Sequence, residues 1–204
     1  MSKIAFNVAK SHSIVLQAKH LCHDVYLRMG YISHAYGDHI IPAERHAVYI
    51  VATAEHGEVI GTVKLSREVR RTIFDAWSGK LFASCGGLIN HALGQRIFSI
   101  GSLAVDKRYA GLHVAHGLYR AAYEWAMQQK MDYGVIMIDS RALRALRMAG
   151  WYVVEVGEAA WYLGSPTIPA IIPIGMQGGT NRQGYWQRAT GAAHQLPAGY
   201  LSQR

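Results

Sequence analysis

The residues whose order and spacing best suit chemistry run from 96 to 156. There, Gly101-Ser102-Leu103-Ala104-Val105 closes an apolar, β-branched stretch, and a long helical pattern begins within about ten residues, near His113. A helix N-terminus presents unpaired N–H groups and the positive end of its dipole, which makes it a ready phosphate site. If the strand ending at Val105 parts from the one expected at 133 to 138, the freed backbone groups suit an extended, amide-rich arm such as pantetheine. Two histidine pairs at helical spacing, His20/His23 and His113/His116, lack a third and fourth ligand, so no metal site is expected.

The elements that must position this unit follow from periodicity. Residues 3 to 8 predict a first strand, and Ser13 to Met29 a helix stopped by Gly30. A loop rich in Tyr, His and Gly runs to Glu44. Strands are expected over Ala47–Ala54 and Val59–Leu65, joined by a turn at Glu55-His56-Gly57-Glu58. Between 67 and 95 short helical pieces are expected, broken at Gly79 and at Gly86-Gly87. Ile97–Val105 predicts a strand. A helix over His113–Gln129 should bury Val114, Leu118, Ala122 and Trp125. Tyr133–Ile138 predicts a buried strand, and a short helix capped by Ser140 should end at Gly150. Strands at Trp151–Val156, Ala160–Leu163 and Ala170–Ile174 complete the pattern. The expected organisation is one domain over 1–174 and a polar, loosely ordered tail over 175–204, where Asp and Glu are absent.

Composition sets bounds. The chain has 204 residues, half of them apolar, a formal charge of +8 and a pI near 9.6. No apolar run reaches the roughly 20 residues of a membrane span, and no secretory signal is evident. Two distant cysteines, Cys22 and Cys85, argue against a disulfide scaffold and for a reducing cytoplasm. The basic balance favours anionic partners, among them an acidic carrier protein, although no basic and aromatic platform for nucleic acid is present.

The segment Gly-Ser-Leu-Ala-Val, followed by a loop and by Val-Ala-His-Gly-Leu-Tyr on a helix, resembles motif A of the Gcn5-related N-acetyltransferase superfamily. Within it the chain resembles the N-acyl amino acid synthases and acyl-homoserine-lactone synthases, which draw on acyl-carrier-protein thioesters. Asp24-Val25-Tyr26-Leu27-Arg28-Met29-Gly30-Tyr31, Val59-Ile60-Gly61-Thr62-Val63-Lys64-Leu65, Ala149-Gly150-Trp151, Tyr162-Leu163-Gly164 and Ile168-Pro169-Ala170 add to the likeness, which covers about residues 13 to 174.

The resemblance implies an α/β (α+β) fold with a mixed, mostly antiparallel central sheet and helices on both faces. It implies that the backbone N–H of Leu103 polarises a thioester carbonyl, that Ala104 and Val105 pair with pantetheine amides, and that the loop from Lys107 to His113, with Arg108, Gly111 and Ala115, holds phosphate. Ala110 and His113 stand where the family loop has Arg and Gly, which favours the single phosphate of a carrier-protein arm over acyl-CoA. Ser99, a candidate catalytic position, stands where the lactone synthases carry Glu; Ser102 and Leu146 likewise replace their Arg and a Tyr. These departures disfavour lactone formation.

No cofactor is expected to stay bound; acyl-phosphopantetheine enters as donor substrate. Tyr31, Tyr36, Trp77 and Phe82 are candidates to line an acyl or acceptor pocket. Arg141, Arg144 and Arg147 fall three apart on one helix, a candidate docking face for an acidic acyl-carrier protein; Arg67, Arg70, Arg71 and Lys80 form another. The expected reaction moves a medium or long fatty acyl chain from acyl-carrier protein to the α-amine of an amino acid. The alternatives are an acetyl-CoA-dependent N-acetyltransferase, an acyl-homoserine-lactone synthase and a non-catalytic binding protein of the same fold.

Overall fold

The computed structural model describes residues 4–32, 47–67, 74, 77, 79–110 and 112–176. The chain divides into two compact units. The first comprises Met1–Glu68, Ser99–Gln129 and Trp161–Ser165; the second comprises Val69–Phe98, Lys130–Ala160 and Pro166–Arg204.

In the first unit four strands run antiparallel in the order β1 (Ala5–Val8), β2 (Ala47–Thr53), β3 (Val59–Ser66) and β4 (Ile97–Val105). The β2–β3 hairpin turns at Gly57, whose φ of 81° is open to glycine at little cost. Alternation along β2 separates the two faces of the sheet. Tyr49 and Val51 point to α1 (His12–Arg28), packing with its Ala18, Ile14, Val15 and Leu21. On the opposite face Ala52 and Gly61 lie under α3 (Leu112–Gln128), where a Cβ on Gly61 would meet Leu118 and Val114 at 3.1 Å. Val114, Leu118, Ala122 and Trp125 are all buried, as the periodicity predicts, and each large one contributes roughly 1.5–3 kcal/mol of burial. Ser11 caps α1, accepting from the Ile14 N–H at 3.3 Å.

In the second unit β8 (Ser165–Pro173) pairs antiparallel with β5 (Tyr133–Asp139) on one side and β6 (Val154–Glu155) on the other. Tyr133, Val135, Val154 and Ile171 pack with Leu88, Ile89 and Ala92 of α2 (Gly86–Leu93). The helix α4 (Ser140–Met148) buries Leu143 and Leu146. In the first unit a two-residue turn, Leu163-Gly164, follows β7 (Ala160–Tyr162). Its φ values of 44° and 77° match the twist that a tight hairpin requires.

Three local expectations are corrected. Gly86-Gly87 does not break a helix; it forms the first turn of α2, where the N–H groups lack intrahelical partners anyway and burial of Leu88 and Ile89 outweighs the glycine cost. The cap of α4 is Asp139 rather than Ser140: its carboxylate accepts from the Arg141 N–H at 2.8 Å, and its charge suits the helix dipole. The last strand starts at Ser165, five residues before the expected Ala170, and includes Pro166 and Pro169. The expected tail lies outside the described residues beyond Met176, the end of a short 3-10 turn.

The class agrees with expectation: a mixed α/β fold in which every defined strand register is antiparallel, with helices on both faces of the first unit's sheet.

Candidate active site

Both the β2–β3 and the β3–β4 ladders carry a register shift, and the second lies on β4. Ala104 pairs with Thr62 and Gly101 with Lys64, so three residue steps on β4 face two on β3. This is a bulge, and its extra residue leaves the ladder. Ser102, inside it, has φ 51°, a left-handed conformation that costs a non-glycine residue roughly 1–2 kcal/mol. Gly101, Ser102 and Leu103 remain partly exposed, whereas Ile100 and Ala104 on either side are buried. The β3–β4 register therefore passes from Gly101 to Ala104 without including Ser102 or Leu103, the residue expected to supply the oxyanion donor.

Surrounding contacts hold Ser102 in this state. From α1, Cys22 donates to the Ser102 carbonyl at 3.8 Å, and Tyr26 is hydrogen-bonded to Ser102. Cys22 and Val25 pack on Ala104, with Tyr26 against them. Tyr26 meets Tyr31 edge to face, with ring centroids 5.4 Å apart. Desolvation pushes the Cys22 thiol up to about 11, against smaller opposing effects of Ser102 and Lys64. Burial, reinforced by Cys22, Tyr119 and Tyr31, holds the Tyr26 phenol well above its ordinary range, and burial does the same to Tyr119. Near neutral pH all three groups are uncharged, so they are hydrogen-bonding and packing groups here rather than anions.

After β4 the chain makes a 3-10 turn, Lys107–Tyr109, capped by Asp106, which accepts from the Arg108 N–H at 2.9 Å. The Arg108 guanidinium donates to Asp106 at 2.7 Å and to Glu58 at 2.5 Å. These pairs hold the Asp106 carboxyl below, and the Arg108 guanidinium above, their usual ranges, with the side-chain hydrogen bond the largest cause in each case. Arg108, expected to hold phosphate, is thus engaged by its own chain's carboxylates. Lys107 is exposed beside it, as is His113 at the start of α3, where Ala115 is half-buried. Gly111 lies outside the described residues.

The other candidates separate. Ser99 pairs with Ser66 in the β3–β4 ladder. Ala104 presents its side chain to α1, and Val105 pairs with Gly61. Tyr31 joins the Ser102 cluster through Tyr26, whereas Tyr36 lies outside the described residues. In the second unit, Trp77 is buried and Phe82 packs on the apolar cluster of α2 and β5. Arg141 and Arg144 are exposed on α4, but Arg147 is ion-paired with Glu155 at 2.6 Å and donates to the Val153 carbonyl. In the second basic group, Arg67 lies over the Trp125 ring and donates to Gln129, and Arg70 and Arg71 lie outside the described residues.

Sequence reasoning did not single out Tyr26, Lys64, Glu58 or Asp106. Yet Tyr26, Lys64 and Ser102 belong to three of the segments that carried the resemblance, and they converge at the bulge. A fourth segment joins them: a Cβ on Gly164 would stand 2.8 Å from the Gly30 carbonyl oxygen, beside Tyr31.

Solved structures share this fold. An N-acyl amino acid synthase from uncultured soil microbes, FeeM, superposes with a TM-score of 0.65 at 14% identity, over 86% of this chain and 93% of that one. A CoA-dependent acyl-homoserine lactone synthase, BjaI, gives 0.59 at 16%, over 94% and 92%. A GNAT-family acetyltransferase from Staphylococcus aureus gives 0.54 at 12%, over 83% and 99%. No curated protein matches the sequence. The architecture is therefore that of the GNAT-like acyltransferases. The family described as N-acyl amino acid synthase FeeM matches residues 17–172, and the chain belongs to that family. It is an amide-forming acyltransferase.

Proposed function

We propose that the protein transfers a medium- or long-chain fatty acyl group from the phosphopantetheine arm of an acyl-carrier protein to the α-amine of an amino acid, in the cytoplasm. The observation that carries this reading is the strained bulge at Ser102-Leu103 followed directly by a phosphate loop whose arginine is already engaged. A thioester carbonyl beside the bulge accepts from the Leu103 N–H, and Ala104 and Val105 offer backbone to the pantetheine amides. With Arg108 held by Asp106 and Glu58, Lys107 and His113 suit the single phosphate of a carrier arm better than the diphosphate of CoA.

The amine attacks the carbonyl, forming the N–C bond and an oxyanion that a fixed donor stabilises; losing one such donor costs about 10²–10³ in kcat elsewhere. The C–S bond then breaks, and the proton shed by the amine passes through water to the departing thiolate. Tyr26, neutral and hydrogen-bonded to Ser102, keeps the bulge in place and, with Tyr31, walls the site. Arg141 and Arg144 form the docking face for the acidic carrier.

The test incubates purified protein with acyl-carrier protein bearing medium- or long-chain acyl groups and a pool of amino acids. Mass spectrometry should find N-acyl amino acids and an equal amount of freed thiol. No acylated amine from any donor refutes the proposal. Faster turnover with acyl-CoA than with carrier protein assigns the donor to CoA instead.

A further inference from the structure

The proposed reaction needs a group that tells an amino acid from a simple amine. We propose that Lys64 is the acceptor-specificity residue, binding the α-carboxylate of the incoming amino acid beside the bulge. The inference rests on the amino-acid acceptor proposed above.

Lys64 stands in the interior of β3 between Val63 and Leu65, both fully buried, yet is itself partly exposed. Lysine is disfavoured inside a strand, and one so placed covers apolar surface with its stem and keeps its charged head in polar surroundings. It pairs with Gly101, so both occupy the face that carries Thr62, Ala104 and the Cys22 end of α1. Cys22, on the helix that covers this face, donates to the Ser102 carbonyl beside Gly101. Gly101 leaves that corner open: a Cβ there would meet nothing within 4 Å.

The spacing fits the substrate. Gly101, the partner of Lys64, lies two residues before Leu103 on β4, with the bulge residue Ser102 between them. In an α-amino acid the carboxylate and the amine stand one carbon apart, so a carboxylate held by the ammonium brings the amine with it. An acceptor anchored at Lys64 thus presents its nitrogen toward a carbonyl polarised at Leu103. A simple amine of the same side chain has no such anchor.

The experiment compares leucine with isoamylamine, which lacks only the carboxylate, using wild type, Lys64→Met and Lys64→Arg. Lys64→Met should raise KM for leucine at least tenfold with little change for isoamylamine, and Lys64→Arg should recover part of the loss. Calorimetric binding of N-acyl leucine and N-acyl isoamylamine gives a readout independent of turnover. Wild type should favour the acyl leucine, and Lys64→Met should erase that preference. Equal effects of Lys64→Met on both ligands, or on neither, overturn the assignment. A wild type that acylates amines without favouring those bearing a carboxylate overturns the amino-acid acceptor as well, and one that frees no thiol from any donor overturns the transfer reading itself.

Discussion

Replacing Ser102 by valine sets the bulge against the backbone preference of a β-branched side chain. At φ 51° serine already bears roughly 1–2 kcal/mol, which the contacts from Cys22 and Tyr26 offset. Valine loses the hydroxyl and adds a second γ branch, so the left-handed state costs more while the regular β3–β4 register loses nothing. If the strand reverts to that register, the Leu103 N–H returns to the ladder and one oxyanion donor is lost, worth about 2.7–4 kcal/mol in the barrier or 10²–10³ in kcat. The assay measures kcat and KM for the donor separately, with circular dichroism and a melting curve to establish that the variant is folded. The expected result is a fall in kcat of about 100-fold with donor KM changed by less than threefold. Ser102→Gly is the control: glycine adopts this φ freely, so it should keep kcat within about fivefold despite losing the hydroxyl. A folded Ser102→Val enzyme with kcat within threefold of wild type would refute the reasoning.

Three further outcomes follow from the packing and the charges. Gly117→Ala drives a Cβ into the Phe6 ring and should cost about 1–3 kcal/mol in denaturant unfolding; pairing it with Phe6→Ala should remove the clash. The Cys22 thiol rises from 9.0 in the unfolded chain to about 11 in the folded one, so the folded state holds its proton longer. Stability is therefore fully retained below pH 9 and falls by up to about 2–3 kcal/mol as pH climbs from 9 to 11. Cys22→Ala should flatten that part of the profile. Arg141→Glu with Arg144→Glu should raise KM for carrier-bound donor roughly tenfold at low ionic strength, less at high salt, and leave a short pantetheine thioester unaffected.

Period and punctuation made much of the fold legible. Ile97–Val105 reads as a strand to its exact ends, and the stripe Val114, Leu118, Ala122 and Trp125 identifies the buried side of α3. Where local signals conflict with tertiary packing, the reading failed. Pro166 and Pro169 argue against a strand, yet β8 carries both. The paired glycines at 86 and 87 suggest a break, yet apolar burial two residues on makes a helix.

The site divides the same way. Leu103 and its loop are visible as strand, turn and helix start. The bulge is harder to see, because its left-handed residue is a serine and its sign in the sequence is Gly101 just before it, inside the strand. Pairing at long range is equally silent in sequence: Glu58 lies 50 residues from the Arg108 it engages, and Lys64 and Tyr26 come to the bulge only through the register of β3 with β4 and the packing of α1 on Ala104.

The most direct measurement is a crystal structure with a non-hydrolysable acyl-pantetheine analogue, its thioester sulfur replaced by a methylene. The carbonyl oxygen should lie about 3 Å from the Leu103 nitrogen, with Ser102 still left-handed and the amides running along Ala104 and Val105. An analogue bound with its carbonyl away from Leu103, or a β4 that straightens around it, would contradict the account.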